Sequence, residues 1–308
     1  LLASNLGKKA STNLGAIHIF YRGLLIIILL EQACIADAGF YWTGTMKILY
    51  IYPNCSLGGM GTVYRNRILA NKEIEHWLFF QKDAGALFEF EKLPNTNVRI
   101  ISPSRFDVFL ASCLRHVSFQ EICITSLYSC LNSLERKPGQ KIVYEFHSST
   151  DSVIAKEASN LRYDVIDEIR VPSEYLKEVV AEHVPEQHQN LISIFPNLID
   201  RDLFNETAEP GKFDFGKFVP LIWVGRFDLG KNVREFLRIL SLTPEDHLGV
   251  IVTSLEHEAA RAEEFLSEAF AFGVQNRIRF FLNLPQSQMS ALYRQASVSG
   301  GKYCSTSL

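Results

Sequence analysis

"LIWVGRFDLGKN", Leu221 to Asn232, sets four apolar residues in a row ahead of a glycine, an arginine, an acidic residue, a second glycine and a lysine. A short apolar run bounded by turn residues reads as a strand buried on both faces, as in a parallel sheet. In such sheets ligands sit outside the carboxyl ends of the strands, so the residues after Val224 face a crevice. Gly225 lets the backbone turn there. Arg226 and Lys231 then offer a planar fork and a point charge, a pair suited to a phosphate or diphosphate. "KNVREF" opens a helix whose N–H groups add to the same field. The spacing fits equally well a solvated turn whose charges are satisfied by Asp228.

The same pattern extends in both directions. Upstream, "KILYIYP" (Lys47 to Pro53) reads as a strand, and "TVYRNRILANKEI" as a helix with Val63, Ile68 and Leu69 on one face. Further strands are expected at Asn97 to Ser102, Glu121 to Ser126, Lys141 to His147, Ile166 to Ser173 and Leu191 to Asn197. Between Asp200 and Pro220 the apolar pattern lapses into a stretch with two prolines and two glycines, which reads as a hinge. Downstream the alternation resumes with "NVREFLRIL" as helix, "LGVIVTS" as strand, a long amphipathic helix closed by Gly273, "RIRFFL" as strand and "QSQMSALYRQA" as helix. Short strands alternating with helices indicate βαβ units. The fold class expected is α/β, with two Rossmann-like, doubly wound domains at 46–204 and 205–308. The second is expected to be incomplete, with about three strands where a full domain has five or six, because no alternation follows "ASVSGGKYCSTSL".

Bulk properties narrow the function. The chain has 308 residues, 47% of them hydrophobic, a formal net charge of −3 and a pI near 6.3. That balance gives no general attraction to nucleic acid or to an anionic membrane, so any anion site is built locally. Cys34, Cys55, Cys113, Cys123, Cys130 and Cys304 form no C-x-x-C pair and no metal-ligand spacing, which favours a reducing cytoplasm. No H-E-x-x-H and no acidic calcium loop is present, so no protein-held metal is expected. Residues 1–45 read as an extension ahead of "MKILYIYP". Their "GLLIIILL" run, closed by Arg22 and Glu31, is shorter than the about 20 apolar residues of a span and leaves open a signal or anchor, a non-native or weakly ordered extension, and a packed strand or helix.

Two further features lie at strand ends. "SLGGMG", Ser56 to Gly61, joins the first strand to the first helix, where Gly58, Gly59 and Gly61 permit positive φ and close approach of backbone to a ligand. Its spacing is not G-x-G-x-x-G and it has no Walker lysine, so it supports neither an NAD nor an ATP site and fits a plain βα turn as well. His147 closes "KIVYEFH", where an imidazole can donate to a substrate hydroxyl or phosphate or serve structure alone; Glu145 reads as an outward strand position. "LASCLRHVSFQEI", Leu110 to Ile122, fits core packing, with a membrane-facing helix as the other reading.

Taken in order, these stretches resemble the retaining GT-B glycosyltransferases of the family-4 type. "MKILYIYPNCSLGGMG" is similar to the family's opening, "VPSEYLKEVV" (Val171 to Val180) to the segment before its hinge, and "IFPNLIDRDLF" (Ile194 to Phe204) to its "PNGVD…F" stretch, with Leu198 where glycine is common. "VGRFDLGKN" resembles its "GRL…KG" donor-phosphate motif, and "NLPQSQMSALYRQASV" the segment before its E-x7-E motif. The resemblance implies transfer of a sugar, with retention and without a bound metal or other cofactor, from a nucleotide-diphosphate sugar to a carbohydrate, lipid-linked or other small acceptor. It implies a cytoplasmic protein able to work against the inner face of a membrane, with no nucleic-acid partner. Carried over by position, Gly225, Arg226 and Lys231 would hold the donor diphosphate, Gly58, Gly59 and Gly61 would line the cleft, and His147 would touch the transferring sugar. The chain ends at "CSTSL", where the paired glutamates should begin, so a fragment inactive alone is expected. An epimerase or phosphorylase on the same fold, and a noncatalytic nucleotide-binding remnant, stand as alternatives.

Overall fold

The computed structural model describes residues 45–306 apart from 136, 206–209 and 255–258. The "GLLIIILL" run and Cys34 lie outside the described residues.

The first half is built on a seven-stranded parallel sheet. Its strands are β1 (Lys47–Ser56), β2 (Glu75–Ala84), β3 (Thr96–Ile100), β4 (Glu121–Thr125), β5 (Lys141–Glu145), β6 (Glu168–Val171) and β7 (Ile192–Ile194), in the order β3-β2-β1-β4-β5-β6-β7. β1 is apolar on both faces because both are covered. Leu49 and Ile51 join one core with Phe106, Leu110 and Cys113 of helix Pro103–His116, while Ile48 and Tyr50 join another with Tyr64 and Ile68 of α1 (Gly59–Ala70). The apolar residues of the Leu110 to Ile122 stretch thus pack inward. Burial pushes the Cys55, Cys113 and Cys130 thiols up to about 12, which makes them packing residues rather than nucleophiles.

The second half repeats the plan on four parallel strands, β8 (Val219–Val224), β9 (His247–Thr253), β10 (Ile278–Leu282) and β11 (Lys302–Tyr303), in the order β10-β9-β8-β11. Trp223 and Ile251 pack with Phe236 and Leu240 of helix Val233–Leu242 on one face. Ile222 and Val250 pack with Met289 and Leu292 of helix Gln286–Val298 on the other. Gly273, at φ +69°, ends the helix Ala259–Ala271 as the sequence suggests.

Two strands depart from the sequence reading. β2 is ten residues long, in full register with β1 from Lys47↔Glu75 to Ser56↔Ala84, yet only its centre, Trp77 to Phe80, is an apolar run. The first helix stops at Ala70 rather than running on through Ile74, which frees the residues that lead into β2. β11 adds a fourth strand to the about three expected of the second half: Lys302 and Tyr303 pair with Leu221 and Ile222.

In each sheet the chain starts in the middle and winds outward to both sides. The reversal lies beside β1 in the first sheet and beside β8 in the second. An open parallel sheet leaves a crevice at the carboxyl end of that position.

Candidate functional site

The carboxyl ends of β1, β5, β7, β8, β9 and β10 deliver residues to one cleft between the two sheets, with a volume of about 720 Å³. That lies within the ordinary range of small-ligand sites. Gly58, Gly59 and His147 line it from the first half, and Gly225, Arg226 and Lys231 from the second. Gly61 lines a smaller adjoining pocket instead, with Arg65 and Gln286. Across the gap, the Gln286 amide donates to the Thr62 hydroxyl at 2.7 Å.

The glycines act differently from the sequence expectation. None of Gly58, Gly59 and Gly61 has positive φ. β1 runs on to Ser56 and α1 starts at Gly59, so the loop shrinks to Leu57 and Gly58. Gly61 is required by packing, since a Cβ there would run into the Ser56 carbonyl oxygen, whereas one at Gly59 would meet nothing within 4 Å. Gly58 caps α1 without a side chain, and no acidic residue occupies the first turn. The first amides of a helix lack intrahelical partners, so this end presents positive charge to the cleft.

Arg226 and Lys231 face the same gap. Burial pushes the Tyr52 phenol up, and the Arg226 charge across the cleft draws it partly back. Arg226 is also paired with Asp228 at 2.9 Å while its side chain stays 63% exposed, so the ion pair and the cleft position coexist. The Asp228 carboxylate also accepts the Lys231 backbone N–H at 2.9 Å. An incoming anion therefore competes with a carboxylate for Arg226. The helix after the motif starts at Val233 rather than at Lys231, following a 3-10 turn at Leu229–Lys231 and a left-handed Asn232, and its first turn does not line the cleft. Gly225 has no positive φ; its lack of a side chain matters because a Cβ would lie 3.0 Å from the Trp223 ring and 3.2 Å from Lys231 Cγ.

His147 stands at the cleft floor, its Nε2 3.5 Å from Glu145. Glu145 is fully buried rather than outward. Arg67 Nη1 donates to both its oxygens, at 2.8 and 2.9 Å, and the Thr125 hydroxyl donates at 3.4 Å. Burial alone would push the Glu145 carboxyl up, but His147 and Arg67 outweigh it and hold the group below its ordinary value. Arg67 and Arg170 both lie over the Phe195 ring, at 4.8 and 4.6 Å. The sequence reading missed this buried charge cluster, although the two-residue spacing of Glu145 and His147 was a usable signal. Among the described residues no group of three or more His, Cys, Asp or Glu is placed to hold a metal ion. No described helix is long and apolar enough to cross a membrane.

No protein-family model and no curated protein matches the sequence. Solved structures do resemble it. HepE from Anabaena, solved with UDP-glucose, superposes with a TM-score of 0.62 at 13% identity, over 80% of this chain and 72% of that one. Sucrose-phosphate synthase from Thermosynechococcus elongatus gives 0.60 at 14%, over 82% and 73%. The catalytic domain of starch synthase IV from Arabidopsis thaliana, bound to ADP and acarbose, gives 0.55 at 12%, over 81% and 76%. Identities this low speak for the fold alone. With its two parallel sheets and the cleft between their carboxyl ends, the chain has the GT-B fold.

Proposed function

We propose that the protein is a retaining glycosyltransferase that moves a sugar from a nucleotide-diphosphate donor to a carbohydrate, lipid-linked or other small acceptor. The observation that carries the reading is the convergence of Arg226 and Lys231 on the cleft, opposite the start of α1, whose amides no side chain caps. In the reaction the bond between the anomeric carbon and the diphosphate oxygen breaks, the electron pair leaves with the diphosphate, and an acceptor hydroxyl oxygen bonds the same face of that carbon and gives its proton to the departing diphosphate. Fixed cations at that oxygen stabilise the growing charge without reorganising. Arg226 and Lys231 supply them, so transfer is expected to persist in EDTA. His147, held by Glu145, faces the sugar and orients it through a hydroxyl. The two halves closing on the donor exclude water that would otherwise take the sugar. HepE solved with UDP-glucose, and starch synthase IV bound to ADP and acarbose, support the same class of ligand.

Calorimetric titration with UDP, GDP and their sugars tests the reading. Saturable binding that weakens with salt is expected, and Arg226→Ala or Lys231→Ala should each cost about 1.5 to 3 kcal/mol of it. Unchanged affinity in both variants would remove the site assignment. Anomeric analysis of the transfer product by NMR tests retention.

A further inference from the structure

The reversal of strand order beside β8 gives its crevice two lips. One is the Gly225 to Lys231 turn that follows β8, and the other is the segment that follows β11, Cys304 to Thr306. This second lip is fastened to the first. The Cys304 N–H donates to the Ile222 carbonyl at 2.8 Å, which carries the β11 pairing one residue further. Two residues on, the Thr306 side chain is buried, with 8% exposure.

Its hydroxyl makes two hydrogen bonds in opposite senses. It accepts the Trp223 indole N–H at 3.0 Å and donates to the Lys231 carbonyl at 2.8 Å. A hydroxyl has one hydrogen to give, and here that hydrogen goes to Lys231. The Lys231 main chain is thereby gripped at both ends, its N–H by Asp228 and its C=O by Thr306. The gripped carbonyl belongs to the peptide that leads into Asn232, a non-glycine residue at φ 44° and ψ 54°. Left-handed backbone of this kind persists where its surroundings hold it in place. On the side-chain end, Lys231 Cγ passes the bare Cα of Gly225, beside the ring of the same Trp223 that Thr306 binds. Thr306, Trp223, Gly225 and Lys231 form one contact set around the Lys231 main chain and the base of its side chain.

We propose that Thr306 is the positioning residue for Lys231 in nucleotide-diphosphate binding: its single hydroxyl joins the buried Trp223 to the Lys231 carbonyl and thereby aims the ammonium at the donor phosphates. The inference rests on the donor reading of the cleft. It adds that the binding strength of the cation turn is set by a residue 75 positions away, three residues past the strand that pairs on the other side of β8. Valine at this position matches the shape and supplies neither bond, whereas serine supplies both.

The test is UDP titration of the full chain bearing Thr306→Val, Thr306→Ser, Lys231→Ala and the Thr306→Val/Lys231→Ala pair, with urea unfolding of each in parallel. Thr306→Val should weaken UDP binding about tenfold, a change of about 1.4 kcal/mol. Thr306→Ser should stay within about twofold of the native chain, and Thr306→Val should add nothing once Lys231 is alanine, the signature of coupled residues. Should the valine variant fail to fold, Thr306→Ala, which leaves room for water in place of the hydroxyl, takes its place. Native affinity in Thr306→Val alongside a loss in Lys231→Ala would overturn the inference and leave the donor reading standing. An equal loss in the Lys231→Ala background would also overturn it, by showing general structural damage. If UDP binds none of the proteins, native included, the donor reading falls and this inference with it.

Discussion

Gly59 and Gly61, two residues apart at the start of α1, meet opposite surroundings, and substitution should separate packing from binding. Gly61→Ala drives a methyl into the Ser56 carbonyl and should cost about 1 to 3 kcal/mol in urea unfolding. Gly59→Ala points into open space and should leave stability unchanged or slightly raised, because alanine loses less entropy than glycine in a helix. If the first-turn amides hold phosphate, the same Gly59→Ala should weaken UDP binding by crowding their approach. Asp228 is the next informative residue. Asp228→Asn can still accept the Lys231 N–H while removing the charge that competes for Arg226. The exposed pair contributes under about 1 kcal/mol, so UDP affinity should rise by up to about fivefold in titration.

β5 has demanding energetics, because it buries a carboxylate against Arg67 at the edge of the cleft. Removing one partner of a buried pair strands the other, so Glu145→Gln should destabilise the chain by about 3 to 5 kcal/mol at neutral pH. The sign of its pH dependence follows from the direction of the shift. The folded-state value lies below the ordinary glutamate value, so its stabilisation is complete above the ordinary range and is lost as pH falls through the folded value. Urea midpoints measured down the acid range should fall less steeply in Glu145→Gln than in the native chain. The same strand shows how much was legible beforehand. Ile142 to Tyr144 declare themselves by composition, but burial of Glu145 depends on Arg67, 78 residues away, and no local period reports a partner so distant. β2 stayed hidden for a different reason. Glu75 at its start and Gln81 to Asp83 near its end are polar, and only its long register against β1 makes ten residues a strand. β8 and its cation turn were readable because a strand buried on both faces needs an unbroken apolar run and a glycine exit.

The two halves meet through a strap as well as through the cleft. Residues 195–204 are tied to α1 by Arg65 to Asp200 at 3.2 Å and Asn66 to the Leu198 carbonyl at 2.8 Å, and to the last helix by Ser290 and Arg294, which both donate to the Leu203 carbonyl. The Asn66→Ala/Arg294→Ala pair should raise hydrogen exchange across 198–204 while leaving β1 and β8 protected, as expected of a locally opening segment between two intact cores. Equal acceleration in the strands would instead mean that the strap is part of a single cooperative unit. The bond from Thr306 to Lys231 has a further consequence for biosynthesis. During translation the cation turn leaves the peptidyl-transferase centre 75 residues before the hydroxyl that pins it. At about 5 to 20 residues per second, the nascent turn must wait about 4 to 15 s before it can be locked.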